Sequence, residues 1–161
     1  MRNFLLRLFH TCPLDLLCSR LFDETIFYEA FIRDLKRCKK EVIIESPFIT
    51  TKRMNMLLPV LHTLVSRKVK VVIVTRSPQE HEGKLAIQTE RAIQSCEFIG
   101  IQILLCSGSH HRKVAILDRE ILWEGSLNIL SQCYSREIMR RIKSEVLTRE
   151  MFDFLKLGKY L

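Results

Sequence analysis

Between residues 26 and 35 the apolar side chains fall at Ile26, Phe27, Ala30, Phe31 and Leu35, a helical spacing, with Asp23 placed to cap the start. Lys36, Arg37, Lys39 and Lys40 close that helix where its dipole favours cations. "EVIIES" then reads as a short buried strand ended by Pro47, and Leu57, Leu58, Leu61 and Leu64 mark a second helix. "KVKVVIVT" is rich in β-branched residues and predicts a strand. After the turn-like "SPQEHEG", residues 85–96 read as helix, "GIQILLC" as strand and "SGSH" as loop. "KVAIL" and "ILWEG" are strands joined by a tight turn at "DRE". A short helix is expected near Ser126, then a strand at "EIMRRI" and a final helix capped by Ser144 and ending near Leu157.

This alternation predicts an α/β fold, a mixed β-sheet flanked by helices on both faces. With 161 residues the chain is long enough to bury a core without metals or disulfides as staples. No internal repeat, low-complexity segment or linker divides it. The expected organisation is an N-terminal amphipathic segment, residues 1–22, followed by one domain over residues 23–161. In that first segment Phe4, Leu5, Leu8 and Phe9 share a face suited to packing on the body or on a second subunit. Arg7 and His10 interrupt the apolar core that a signal peptide needs; a transit peptide or a membrane-surface helix is the alternative there.

Charge narrows the range of partners. Lysine plus arginine exceed the acids by 26 to 18, a net +8 that attracts polyanions, nucleic acid first and anionic membrane second. No run of 18 apolar residues exists, so stable membrane insertion is not expected. The cysteines Cys12, Cys18, Cys38, Cys96, Cys106 and Cys133 form no C-x-x-C and match no zinc spacing; reduced thiols in a cytoplasmic protein account for them.

The chemistry concentrates in "HHRKVAILDREILWEGSLN", residues 110–128. His111 and Lys113 are two apart and project to the same side of a strand. If the two strands form a hairpin, that pair lies near Ser126 and Asn128. An imidazole, an ammonium, a hydroxyl and a carboxamide then surround one point. Such a set can hold and attack a phosphate: imidazole as nucleophile or proton shuttle, lysine and asparagine on the oxygens. Gly125 would let the backbone approach an anion. His62, His81 and His110 fall outside this set and read as surface or loop groups. Trp123 reads as core rather than as a platform for a base. Arg136, Arg140, Arg141 and Lys143 would ordinarily form a solvated face but suit a DNA backbone beside a phosphate site.

"HRKVAILD" is H-x-K-x4-D, and "GSLN" follows as G-S-x-N. This resembles the HKD motif of the phospholipase D superfamily, and the chain is closest in type to its small single-motif bacterial endonucleases. "SRE", ending at Glu137, resembles the downstream N-x-E element with Ser135 in place of asparagine, and "IIESPFI" resembles the first core strand and its loop. The resemblance covers roughly residues 24–157. It implies catalytic roles for His111, Lys113, Ser126, Asn128 and Glu137, with Asp118 bracing the turn, and it implies no cofactor and no metal. Two motifs face each other in this family, and one motif per chain implies a homodimer with the site on its twofold axis. One His111 would form a phosphohistidine while the other protonates the leaving oxygen.

The resulting expectation is a metal-independent phosphodiesterase, a nuclease cleaving DNA, or RNA. Phospholipase or phosphatidyl transferase activity is the alternative, and an inactive nucleic-acid-binding relative is a third. No base-reading helix is visible, so sequence preference should be weak. A helicase or other DNA-processing partner is compatible with a lone domain of this kind.

Overall fold

The computed structural model describes residues 18–159. Phe4, Leu5, Leu8 and Phe9 therefore lie outside the described residues. Among those described, one sheet contains β1 (Ser19–Asp23), β2 (Glu41–Glu45), β3 (Lys70–Arg76), β4 (Gln102–Cys106), β5 (Val114–Leu117), β6 (Ile121–Gly125) and β7 (Ile138–Lys143). The spatial order is β1-β7-β6-β5-β2-β3-β4. β2, β3 and β4 are parallel, with α2 (Thr51–Ser66) and α3 (Gly83–Phe98) as crossovers. β5 lies antiparallel to β2, and β5, β6, β7 and β1 continue as an antiparallel meander with β1 closing the edge.

Both faces are covered, as the alternation predicts. α1 (Phe27–Arg37), α2 and α3 pack on one face, where Phe27, Phe31, Leu57 and Leu61 meet Val42, Ile44, Ile73 and Trp123. On the other face α4 (Glu145–Phe154) and the turn after it set Phe152, Leu155 and Leu157 against Ile43, Ile116, Leu122 and Ile142. β2 and β5 are buried on both sides, which explains why "EVIIE" and "VAIL" read as unbroken apolar runs. Ser144 caps α4 by accepting the Leu147 N–H at 3.2 Å.

Three local expectations differ from what is found. Strand β1 spans the boundary drawn between residues 22 and 23; its Phe22 joins the core and its Leu21 faces out, so only one apolar residue marks each face. Asp23 does not cap α1 directly. Its carboxylate accepts the Thr25 and Ile26 N–H groups, at 2.9 and 3.1 Å, in a turn that precedes the helix. No helix starts near Ser126. Residues 126–137 are an irregular loop held from a distance, by the Tyr28 hydroxyl on the Ile129 carbonyl (2.9 Å) and the Ser46 hydroxyl on the Leu130 N–H (3.2 Å).

The hairpin between β5 and β6 pairs Leu117 with Ile121, and Asp118 and Arg119 turn the chain between them at φ 51° and 61°, closed by the Glu120 N–H on the Leu117 carbonyl at 3.0 Å. Asp118 spends its carboxylate on the backbone N–H groups of Lys39 and Lys40 (2.7 Å each) and Glu41 (2.9 Å). It thus fixes the hairpin to the start of β2. Since Val114 pairs with Glu45, this sets the opposite end of β5, and the residues before it, at the carboxyl end of β2. That is the end at which open α/β sheets bind ligands.

Candidate active site

Residues 107–113 enter β5 from β4 and carry the imidazole and ammonium. Glu80 positions this loop by accepting the Gly108 N–H at 2.6 Å while pairing with Arg76 at 2.9 Å. These two contacts hold the Glu80 carboxyl below the usual glutamate range, with the Gly108 N–H the larger cause. Gly108 takes φ 85°, a left-handed backbone that suits glycine.

His111 is exposed and Lys113 half-buried at the mouth of a cavity of about 500 Å³. The Lys113 ammonium donates to the His111 carbonyl (2.6 Å) and lies 3.1 Å from the imidazole Nδ1. Burial pulls Lys113 below the ordinary lysine value, and the Glu137 carboxylate opposes this. Arg112 and Arg140 line the same cavity, so three cations face it beside the imidazole.

Ser126 and Glu137 line a neighbouring cavity with Asp23, Glu24 and Arg136; Ile138 lines both cavities. The Ser126 hydroxyl accepts the Ile138 N–H at 3.1 Å, and Glu137 accepts the Ser135 hydroxyl at 2.8 Å. Asn128 is partly buried, and its Oδ1 is shielded from solvent with no hydrogen-bond donor from the chain. His111 with Lys113, and Ser126 with Glu137, therefore form two adjoining groups at one end of the sheet, while Asn128 lines neither cavity. Gly125 serves the sheet itself: a Cβ there would collide with the Ile138 carbonyl and sit 2.9 Å from the Met139 Cα. What its missing side chain admits is the β7 backbone.

Sequence reasoning missed several neighbours. Phe48, after β2, presents its ring edge-on to His111 at 5.8 Å and packs on His81 at 5.4 Å. His81 is thus a half-buried wall of the site rather than a surface group; burial and Arg76 lower its pKa, against Glu80. The only sequence signal for Phe48 is its place in "IIESPFI", directly after a strand that ends at the site. Trp123 is fully buried and donates to Asp34 at 3.0 Å. Arg140 and Arg141 do separate to opposite faces. Arg141 pairs with Asp34 at 2.6 Å among the helices, so only Arg140 remains on the cavity side. Among the described residues, no three histidine, cysteine or carboxylate side chains converge as a metal-ligand set.

An α/β sheet with helices on both faces, and an imidazole–lysine pair at the strand ends, place the chain in the phospholipase D-like class. The chain belongs to the family described as cardiolipin synthase, PLD-like domain, whose model matches residues 31–156. A search of curated protein sequences finds no significant match. Among solved structures the chain is similar to Nuc, a phospholipase D family member from Salmonella typhimurium. That match has TM-score 0.69 and 18% identity, over 86% of this chain and 91% of that one. NucT from Helicobacter pylori matches with TM-score 0.68 and 18% identity, over 86% and 92%. Phosphatidylserine synthase from Haemophilus influenzae matches with TM-score 0.66 and 13% identity, over 86% of this chain but 38% of that one.

Proposed function

We propose that the protein is a nuclease that cleaves phosphodiester bonds of DNA, or RNA, without a metal ion, at a site completed by a second copy of the chain. The observation that carries this is the apolar surface around His111 and Lys113. Leu21, Ile138 and Phe154 are 54%, 61% and 75% exposed, and all three line the cavity that contains the imidazole. Apolar side chains clustered beside a polar site are costly in water and suit burial against another protein surface. A twofold axis through this patch would bring two copies of His111 to one phosphate.

In this reading one His111 attacks phosphorus in line with the leaving oxygen, forming an N–P bond as the P–O bond breaks. His111 of the second copy gives its proton to the departing oxygen. The same imidazole then takes a proton from water, whose oxygen displaces the first histidine and restores it. Lys113 and Asn128 hold the non-bridging oxygens, where charge accumulates, and Ser126 assists. Glu137 orients an imidazole through its second nitrogen. The net charge of +8 favours a polyanion, and the near-complete reciprocal coverage of Nuc and NucT supports a nuclease of similar extent.

The apolar rim also favours a second reading, a lipid phosphodiester whose acyl chains lie against Phe154 and Ile138. The family description and the synthase match point the same way. One assay separates the two. Purified protein in EDTA is given labelled single- and double-stranded DNA, RNA and a phosphatidyl lipid, beside His111→Ala. Nucleic-acid cleavage that survives EDTA and is lost in the variant supports the nuclease. Cleavage of lipid alone replaces it with the second reading, and activity abolished by EDTA contradicts the metal-free chemistry.

A further inference from the structure

A second cavity, also of about 500 Å³, adjoins the first; Arg112 and Leu155 line both. Glu45 lies in it, at the end of β2, with its side chain 4% exposed. Its Oε2 accepts no hydrogen bond from the chain, and the nearest cation, the Arg112 guanidinium, stands 3.9 Å away. His110 lines the same space, and its Nε2 is likewise buried with no partner in the chain. Lys156 and Lys159 complete the rim, and neither forms an ion pair among the described residues. The remaining walls are apolar, Val74, Leu104 and Leu157 among them.

Two shielded polar atoms without partners, on side chains that line one cavity, call for a ligand that supplies hydrogen bonds, because each otherwise bears its full desolvation cost. Apolar walls suit the faces of a flat ring, and the cationic rim suits phosphates on either side of it. We propose that this cavity receives a nucleobase flanking the cleaved phosphate, and that Glu45 and His110 read its edge. The inference rests on the nuclease reading of the adjoining site. Guanine fits best, since its neighbouring N1–H and N2–H donors match the two oxygens of one carboxylate, whereas uracil and thymine offer a single N–H. Weak sequence preference is then replaced by a preference at one position.

The test is to cleave a random-sequence oligonucleotide pool and sequence the product ends. Guanine is expected at one fixed distance from the cut, enriched by about tenfold, the scale of one bidentate base contact. Glu45→Gln replaces an acceptor with a donor and is expected to cut that preference to about twofold or to move it to adenine or cytosine, whose edges pair one donor with one acceptor. The base profile is a ratio within one digest, so a change in overall rate leaves it readable. A flat profile from the unaltered protein, or an unchanged guanine preference in the variant, overturns the subsite and leaves the nuclease standing. A protein that cuts no oligonucleotide but hydrolyses bis(p-nitrophenyl) phosphate or a phosphatidyl lipid overturns both. The unaltered protein's profile decides the matter even if the variant fails to fold.

Discussion

Glu45 is a carboxyl group placed where water hardly reaches, and burial raises its pKa while Arg112 opposes the rise only in part. The folded chain therefore keeps this proton at pH values where the unfolded chain has released it. Stability must fall as pH rises from the ordinary glutamate range through the raised folded value. The charged and titratable neighbours facing it are Arg112, His110 and the Cys106 thiol, whose own pKa is raised first by burial and then by Glu45. Glu45→Gln should remove the slope in this window and leave the protein more stable than the unaltered chain above it. Urea unfolding from about pH 4 to about pH 8 would show the difference; parallel curves would assign the slope to another group. Asp118 serves the fold through hydrogen bonds instead, accepting three backbone N–H groups. Asp118→Ala strands those donors and should cost about 3 kcal/mol, read as a lower urea midpoint at unchanged slope. His111 and Lys113 were legible because their chemistry sits in one short window. Glu45, Phe48 and His81 were not, because what makes them part of the site is adjacency across strands, which a single sequence does not display.

At the scale of elements, the strands and helices with strong periodicity or continuous apolar runs were readable, and the parts shaped by distant partners were not. "VAIL–DRE–ILWEG" announces a hairpin through its own turn. The loop over residues 126–137 has no such local cause. Tyr28, Ser46 and Arg53 all reach it from 79 or more positions away; the Arg53 guanidinium bonds the Gln132 carbonyl and stacks 3.7 Å over the Tyr28 ring. Local propensity alone therefore read a helix there. Gly125 shows how one residue serves two elements. The sequence makes it part of a phosphate-site motif, yet the structure needs it so that β6 can lie against the β7 backbone. Gly125→Ala should force these strands apart and destabilise the protein by about 2 kcal/mol. Faster hydrogen exchange at the Ser126 and Ile138 amides would locate the damage, because those residues bridge β6 and β7 through the Ser126 N–H (3.0 Å) and hydroxyl (3.1 Å). Exchange accelerated only at distant strands would contradict this account.

For the whole molecule the question is whether one chain holds a complete site. A single copy presents one His111 imidazole, with three exposed apolar side chains around its cavity and five cations lining it or the adjoining one. If two copies share the chemistry, both histidines are needed for each turnover, one to attack and one to donate the proton. That requirement has a quantitative signature. When unaltered protein and His111→Ala are mixed in equal amounts and allowed to exchange subunits, only dimers of two unaltered chains carry both imidazoles. Activity per total protein should fall to about one quarter of the undiluted value, and should follow the square of the unaltered fraction across the series. Independent sites would instead retain about one half and give a straight line. Ile138→Lys supplies the complementary test from the surface. It places a cation in the apolar patch and should lower both the solution mass, from that of a pair towards 19.0 kDa, and the cleavage rate together. A variant that becomes monomeric and stays fully active would remove the need for a partner. The squared dependence would then be expected to vanish as well, so the two measurements bind the same claim from independent directions.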